Sequence, residues 1–324
     1  MTPPRQVLAA LGFAILAAAG FPQAFGQAYP GKPVRIIVPN ATGGLADICA
    51  RLVAAKLAEA FGQQFLVENR PGAGGTLGTA AAARAAPDGT TLLAVFDSHA
   101  TNLHLFRNLP YDTLADLAPI SLLVRGPLVL VVHPGLGPNT VAELVKLAKS
   151  RPGAINFATV GPGSPARLLM ELLKAEAGID VTMVAYKGAG LALGDLVGGQ
   201  VDAMFATVPS MRSHYRAGRL RALAITSGHR SSIAPGVPAI SEFYPGFVAE
   251  AWVALLAPAR TPPEIVARIN AEVSRILAQP EMKDRFSDQG LETVGGTPSQ
   301  VDRWIRAEIE RWGRVIREQK ITLE

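Results

Sequence analysis

The stretch 34-VRIIVPNATGGLADICARLV-53 carries the plan of the fold. Val34 to Val38 is a short apolar run rich in β-branched residues and reads as a buried strand. Leu45 to Phe61 repeats its apolar residues at helical spacing. Between them stand Asn40, Ala41, Thr42, Gly43 and Gly44. Glycines at such a joint serve either as turn residues that accept positive φ or as points where a ligand approaches the backbone. The second use draws on the N–H groups and positive dipole end of the following helix, which attract an anion. Asp47, in the first turn, has two readings as well: a group facing a ligand, or a charge that favours the dipole.

The same plan recurs in 155-INFATVGPGSPARLLMELLKAEAG-178, where a strand, Ile155–Ala158, meets a glycine-rich joint and then a helix capped by Ser164. Further glycine joints follow strands at Pro71–Thr76 and at Tyr186–Gly190. In open α/β sheets such loops gather at the carboxyl ends of the strands, where ligands bind. Other candidate strands are Phe65–Val67, Thr91–Val95, Leu128–Val132, Thr182–Ala185, Val201–Phe205 and Leu220–Thr226. Their alternation with helical stretches predicts α/β layers with largely parallel strands. Thr140 with Glu143, Thr261 with Glu264, and Thr297 with Gln300 have the spacing of helix-capping boxes. The last helix repeats Val301, Ile305, Ile309, Trp312 and Ile316 on one face.

With 324 residues, 49% hydrophobic and 18% charged, the chain is too apolar for disorder and long enough for two domains. Residues 1–28 read as a secretory signal peptide: Arg5, then a run of Ala, Leu, Gly, Phe and Ile, then small residues before Tyr29. That run is shorter than the ~20 residues a membrane span needs, so the expected product is an exported, soluble protein. The net charge of +5 is mild and dispersed, with arginines and glutamates interleaved in the last helix, which argues against nucleic-acid binding. The single cysteine, Cys49, cannot form an internal disulfide and lies on the apolar arc of its helix, as an inert buried thiol would.

The motif search is negative for cofactors. Gly72 to Gly78 departs from G-x-G-x-x-G at Leu77, no phosphate-binding G-x-x-x-x-G-K-[ST] occurs, and the five histidines lack metal-ligand spacing. Neither a metal nor a cofactor is expected. Ser164 lacks the G-x-S-x-G elbow, and its cap role accounts for it; a hydrolase using Ser98 or Ser164 with His99 stays as an alternative.

The chain resembles the substrate-binding receptors of tripartite tricarboxylate transporters, the Bug-type receptors. The likeness runs from Tyr29 to near the end. It rests on 29-YPGKPVRIIVP-39 with the following Gly-Gly and Asp47, 67-VENRPGAGGTLG-78, 86-APDGTTLL-93, 109-LPYDTLADLAPISLL-123, 184-VAYKGAG-190, 196-LVGGQVDAMF-205 and 217-AGRLRALAITSGHRS-231. The resemblance implies a two-lobed periplasmic binding protein fold, type II-like, with the ligand cleft between lobes and two hinge crossings. After the leader, the first lobe would comprise 29–125 and 227–324 and the second 126–226, with hinges at Val124–Pro127 and Thr226–Gly228.

It also implies a non-enzymatic, periplasmic, monomeric receptor. A small organic acid, di- or tricarboxylate-like, would be held through backbone amides and ordered water and handed to integral membrane transporter subunits. A sensor role without transport fits the same residues. Carried over, the site is Asn40, Ala41, Thr42, Gly43, Gly44, Asp47, Ser98, Thr159, Gly163, Ser164, Tyr186 and Lys187. Three departures from the family pattern bear on specificity. Ala41-Thr42 stands where many relatives have Pro-Pro, so a hydroxyl is gained. Arg167 replaces a common His, and Ala206 stands where relatives often have an acid, both favouring a second anionic group on the ligand; the other reading of Arg167 is a side chain that faces water one turn into its helix.

Overall fold

The computed structural model describes residues 29–161, 163–230 and 236–322. The leader expected over residues 1–28 lies outside the described residues.

The first half follows from the quoted stretch. β1 (Val34–Val38) is buried except at Arg35 and runs parallel to β2 (Phe65–Asn69) and β3 (Thr91–Phe96). α1 (Leu45–Phe61) lays Cys49, Ala50, Val53 and Leu57 on that sheet and ends at Gly62, whose φ of 64° only glycine adopts without strain. Cys49 is fully buried in this face, and burial pushes its thiol far above the ordinary range, so it packs as a small hydrophobe. α2 (Thr76–Ala83) and α3 (Ser98–Leu105) follow β2 and β3.

The second half repeats the scheme with β5 (Asn156–Val160) parallel to β6 (Thr182–Tyr186) and β7 (Ala203–Thr207). α4 (Val141–Ser150) and α5 (Pro165–Ala177) bury Leu144, Leu168 and Leu173 against Phe157 and Phe205 on one face. α6 (Ala189–Val197) and α7 (Val208–Arg216) bury Leu196 and Met211 on the other.

Parallel pairing holds for these two triplets and fails between them. β4 (Leu117–Val132) spans 16 residues and is antiparallel to β9 (Glu250–Pro258), β10 (Glu292–Gly295), β7 and β8 (Arg221–Ile225). The sequence points only to Leu128–Val132 because Ser121, Arg125, Gly126 and Pro127 interrupt the apolar run. In the fold Ser121 is buried, and Arg125 meets Glu292 at 3.0 Å. β9 and β10 are missing from the expected strands altogether. The whole sheet runs β2-β1-β3-β9-β4-β7-β5-β6, with β8 and β10 also paired to β4.

β4 changes partners at one step: Pro127 pairs with Glu250 of β9, and Leu128 pairs with Thr207 of β7. Thr226 pins that step. Its hydroxyl accepts the Leu128 N–H at 2.8 Å and donates to the Ala249 carbonyl at 2.7 Å, fully buried. The stretch after Thr226, expected to return at once to the first lobe, still packs on the second half, with Ile240, Phe247 and Ala249 in the core of Phe205 and Leu223. The chain rejoins the first sheet with β9.

α8 (Pro263–Ala278) and α9 (Pro280–Ser287) cover the first sheet, and α10 (Pro298–Glu318) lies across both halves. Its Val301 and Ile305 join the first-half core, while Trp312 and Ile316 join the second. Thr297 and Gln300 form the expected capping box, and the Thr140 hydroxyl accepts the Glu143 N–H at 3.1 Å. Thr261 does not cap: α8 starts at Pro263, leaving the Thr261 hydroxyl buried without a hydrogen bond among the described residues. Among the described residues no helix is long and apolar enough to cross a membrane.

Candidate ligand-binding site

Six loops leave the carboxyl ends of parallel strands, three from each half: after β1, β2 and β3, and after β5, β6 and β7. Every candidate residue lies in or beside one of them, Asp47 and Arg167 each at the third position of the helix that follows its joint.

At the first joint Ala41, Thr42 and Gly43 are exposed, and Gly43 has a φ of 83° with open space where a Cβ would stand. Asp47 reaches back into this loop. Its Oδ2 accepts the Gly43 N–H at 2.9 Å and its Oδ1 lies 3.0 Å from Arg51 Nε. Arg51 in turn holds Asn69 Oδ1 at 2.9 Å, and Asn69 donates to the Asn40 carbonyl at 3.0 Å. Burial pushes the Asp47 carboxyl up, but Arg51, the Gly43 amide and Asn69 outweigh it and hold the carboxyl below its ordinary range. Asp47 therefore braces the loop and occupies the Gly43 amide. At the half-buried start of α1, Gly44 stands at the cap position with no side-chain cap. The first-turn N–H groups of a helix lack intrahelical partners and favour an anion.

At the second joint Ser164 caps α5, its hydroxyl accepting the Arg167 N–H at 3.3 Å. Gly161, with a φ of 73°, faces open space, whereas Gly163 faces α3. The Thr101 hydroxyl donates to the Gly163 carbonyl at 2.8 Å, and a Cβ on Gly163 would lie 3.0 Å from Asn102 Oδ1 and from Leu105 Cδ1. Gly163 is thus a close-approach glycine that joins the halves. Thr159 is buried in β5.

α3 meets the joint after β2. Ser98 Oγ and Asn102 Nδ2 both donate to the Gly74 carbonyl, at 3.3 and 3.0 Å. Pro39, Gly74, Gly75, Ser98 and Asn102 close around a crevice too narrow to admit a water molecule. Thr101 and Asn102 are the residues that sequence reasoning missed; the only signal is the mostly polar stretch Ser98-His99-Ala100-Thr101-Asn102 directly after a buried strand. His99 stacks beside Tyr111, and burial pushes its imidazole down to about 4, so it is neutral at pH 7. Neither ring nitrogen has a hydrogen-bond partner among the described residues, so no serine–histidine pair forms with Ser98.

The other candidates are dispersed. Tyr186 donates to Asp195 Oδ2 at 2.7 Å, a bond that raises its phenol, and Lys187 is exposed. Ala206 is buried in the core of the second half, paired with Val129. Arg167 sends its guanidinium to the Thr322 carbonyl at 2.8 Å, so it binds the C-terminal tail in this structure.

The model of the tripartite tricarboxylate transporter family receptor matches residues 49–321. The chain belongs to that family. It is 40% identical over 316 residues to protein BugT of Bordetella pertussis, covering 97% of each chain. Among solved structures, Rpa4515 of R. palustris with adipate superposes at a TM-score of 0.87 with 33% identity, covering 91% of this chain and 99% of that one. MatC from Rhodopseudomonas palustris with bound malate gives 0.83 and 35%, covering 89% and 100%. The fold is therefore the mixed α/β, two-lobed one of periplasmic solute-binding receptors.

Proposed function

We propose that the chain is a periplasmic, non-enzymatic receptor that closes two lobes over a small organic carboxylate and delivers it to a tripartite membrane transporter. The observation that carries this reading is the Thr101–Gly163 contact, which brings a strand-end loop of the second half against the helix that holds the loop after β2 in the first. In this reading the lobes meet across that seam. The Pro127–Leu128 step and the Thr226–Ala249 clasp are the crossings, and the unsatisfied amides at the start of α1 take one carboxylate. The adipate and malate held by two family structures make four- to six-carbon dicarboxylates the first compounds to test.

A thermal-shift screen over mono-, di- and tricarboxylates, aspartate and aromatic acids tests it. Ligand at about 100 times its Kd adds roughly 2.7 kcal/mol of stability, a readily measured rise in Tm. A screen in which no carboxylate raises Tm, or one in which the protein hydrolyses carboxylate esters, overturns the reading. Delivery is tested separately, by loss of uptake of the identified acid when the gene is deleted.

A further inference from the structure

The second half carries a groove remote in sequence from every strand-end loop. α4 forms one wall with Val141 and Val145, and Phe243 and Tyr244 form the other, enclosing about 460 Å³. Phe243 is 42% exposed, whereas the other aromatic side chains among the described residues are buried or half-buried. Lys146 and Lys149 stand on the α4 rim, both exposed and one helical turn apart, without an ion pair or hydrogen bond among the described residues.

This arrangement has the anatomy of a protein interface, an apolar centre with a charged, solvated edge. A small-molecule pocket would instead bury its orienting charge with the ligand. The sign of the edge selects the partner. On the opposite wall Tyr244 is half-buried and feels Glu176, which adds to burial in raising its phenol, and the two cations that line the groove both stand on α4. An occupant must lay acidic side chains along Lys146 and Lys149 and an apolar side chain between Val145 and Phe243.

We propose that this groove docks an acidic segment, anchored by one aliphatic or aromatic side chain, of the membrane protein that receives the ligand. The proposal rests on the delivery reading above and adds to it the place of contact.

The test uses the full-length protein in its native cells, with a photoreactive amino acid in place of Ala142 on the groove wall. The expected result is a crosslink to a membrane-protein segment in which mass spectrometry finds acidic residues flanking an apolar one. Its yield should fall about tenfold in a K146E/K149E variant, since reversed charges now face the acids. Phe243→Asp should lower it equally through the apolar centre. Both variants should keep the wild-type Tm and the wild-type thermal response to carboxylate. Crosslinks that survive charge reversal, crosslinks only to a second copy of the chain, or no crosslink at all would overturn the docking proposal. Absence of any thermal response in the wild-type protein would instead strike the receptor reading, so the two failures are told apart.

Discussion

The Thr101 hydroxyl donates to the Gly163 carbonyl across 2.8 Å, in a place where neither residue meets solvent. One lies on the helix after the third strand of the first half, the other in the joint after the first parallel strand of the second. A single bond therefore ties the two halves beside the loops proposed to hold ligand. Thr101→Val leaves the buried Gly163 carbonyl unpaired and should cost about 1–3 kcal/mol. Gly163→Ala forces a methyl into contacts of 3.0 Å and should cost about 1–3 kcal/mol by overpacking. Urea unfolding of both singles and the double should reveal a coupling above ~0.5 kcal/mol; simple additivity would mean that the residues act separately.

Asp47 should act on the loop through charge. Its carboxyl is held below the ordinary range in the folded chain, so its stabilising contribution is complete above the unfolded carboxylate pKa, about 3.9, and is lost as pH falls through the folded value. Asp47→Asn should destabilise at pH 7 by about 1–3 kcal/mol, the usual worth of hydrogen bonds to a charged group. That deficit should shrink as the medium is taken below about pH 4. Denaturant titrations at pH 7 and in acid check both the size and the sign. A deficit that grows in acid would contradict the brace.

Arg167 illustrates what a sequence position cannot reveal. Its place one turn into a helix beside the second joint suits an anion grip, yet its guanidinium reaches a carbonyl at residue 322, near the far end of the chain. Arg167→Ala should therefore leave the ratio of dicarboxylate to monocarboxylate affinity unchanged, while loosening the C-terminal segment. Calorimetric titration with a matched pair of acids measures the ratio. A tenfold change, about 1.4 kcal/mol, would return the side chain to the cleft.

The same limit runs through the fold. β1, α1, β5 and α5 were legible because strand and helix periods switch at a glycine joint, a local signal that needs no partner. The capping box at Thr297 is local too, and it formed. Thr261 shares that spacing, but the helix begins two residues later at Pro263 and the hydroxyl is buried instead. β4 was half legible because Arg125 and Ser121 look wrong for a buried strand until their partners on other strands are known. β9 was not seen, though Ala251 to Pro258 is almost wholly apolar and buried, because its Ala and Leu residues favour helix, and an apolar run of that composition reads equally as a buried helix segment. Among the site residues, the glycine joints were found by composition. Thr101 and Asn102 matter only through contacts with Gly163 and Gly74, which lie far away in sequence.

Thr226 provides a test of the crossing itself. Three chain segments meet at its hydroxyl: the Leu128 N–H just after β4 changes partners, the Thr226 backbone after β8, and the Ala249 carbonyl just before β9. Thr226→Val keeps the shape and removes the bridge, leaving a buried donor and a buried acceptor unpaired at about 1–3 kcal/mol each. Thr226→Ser retains the hydroxyl and loses only a methyl, so it should recover most of that loss. If the bridge also holds the two halves in register, Thr226→Val should weaken ligand affinity beyond what partial unfolding explains, measured by calorimetry at a temperature where the variant remains fully folded. A variant with wild-type affinity under those conditions would confine Thr226 to stability and leave closure to the seam at Gly163.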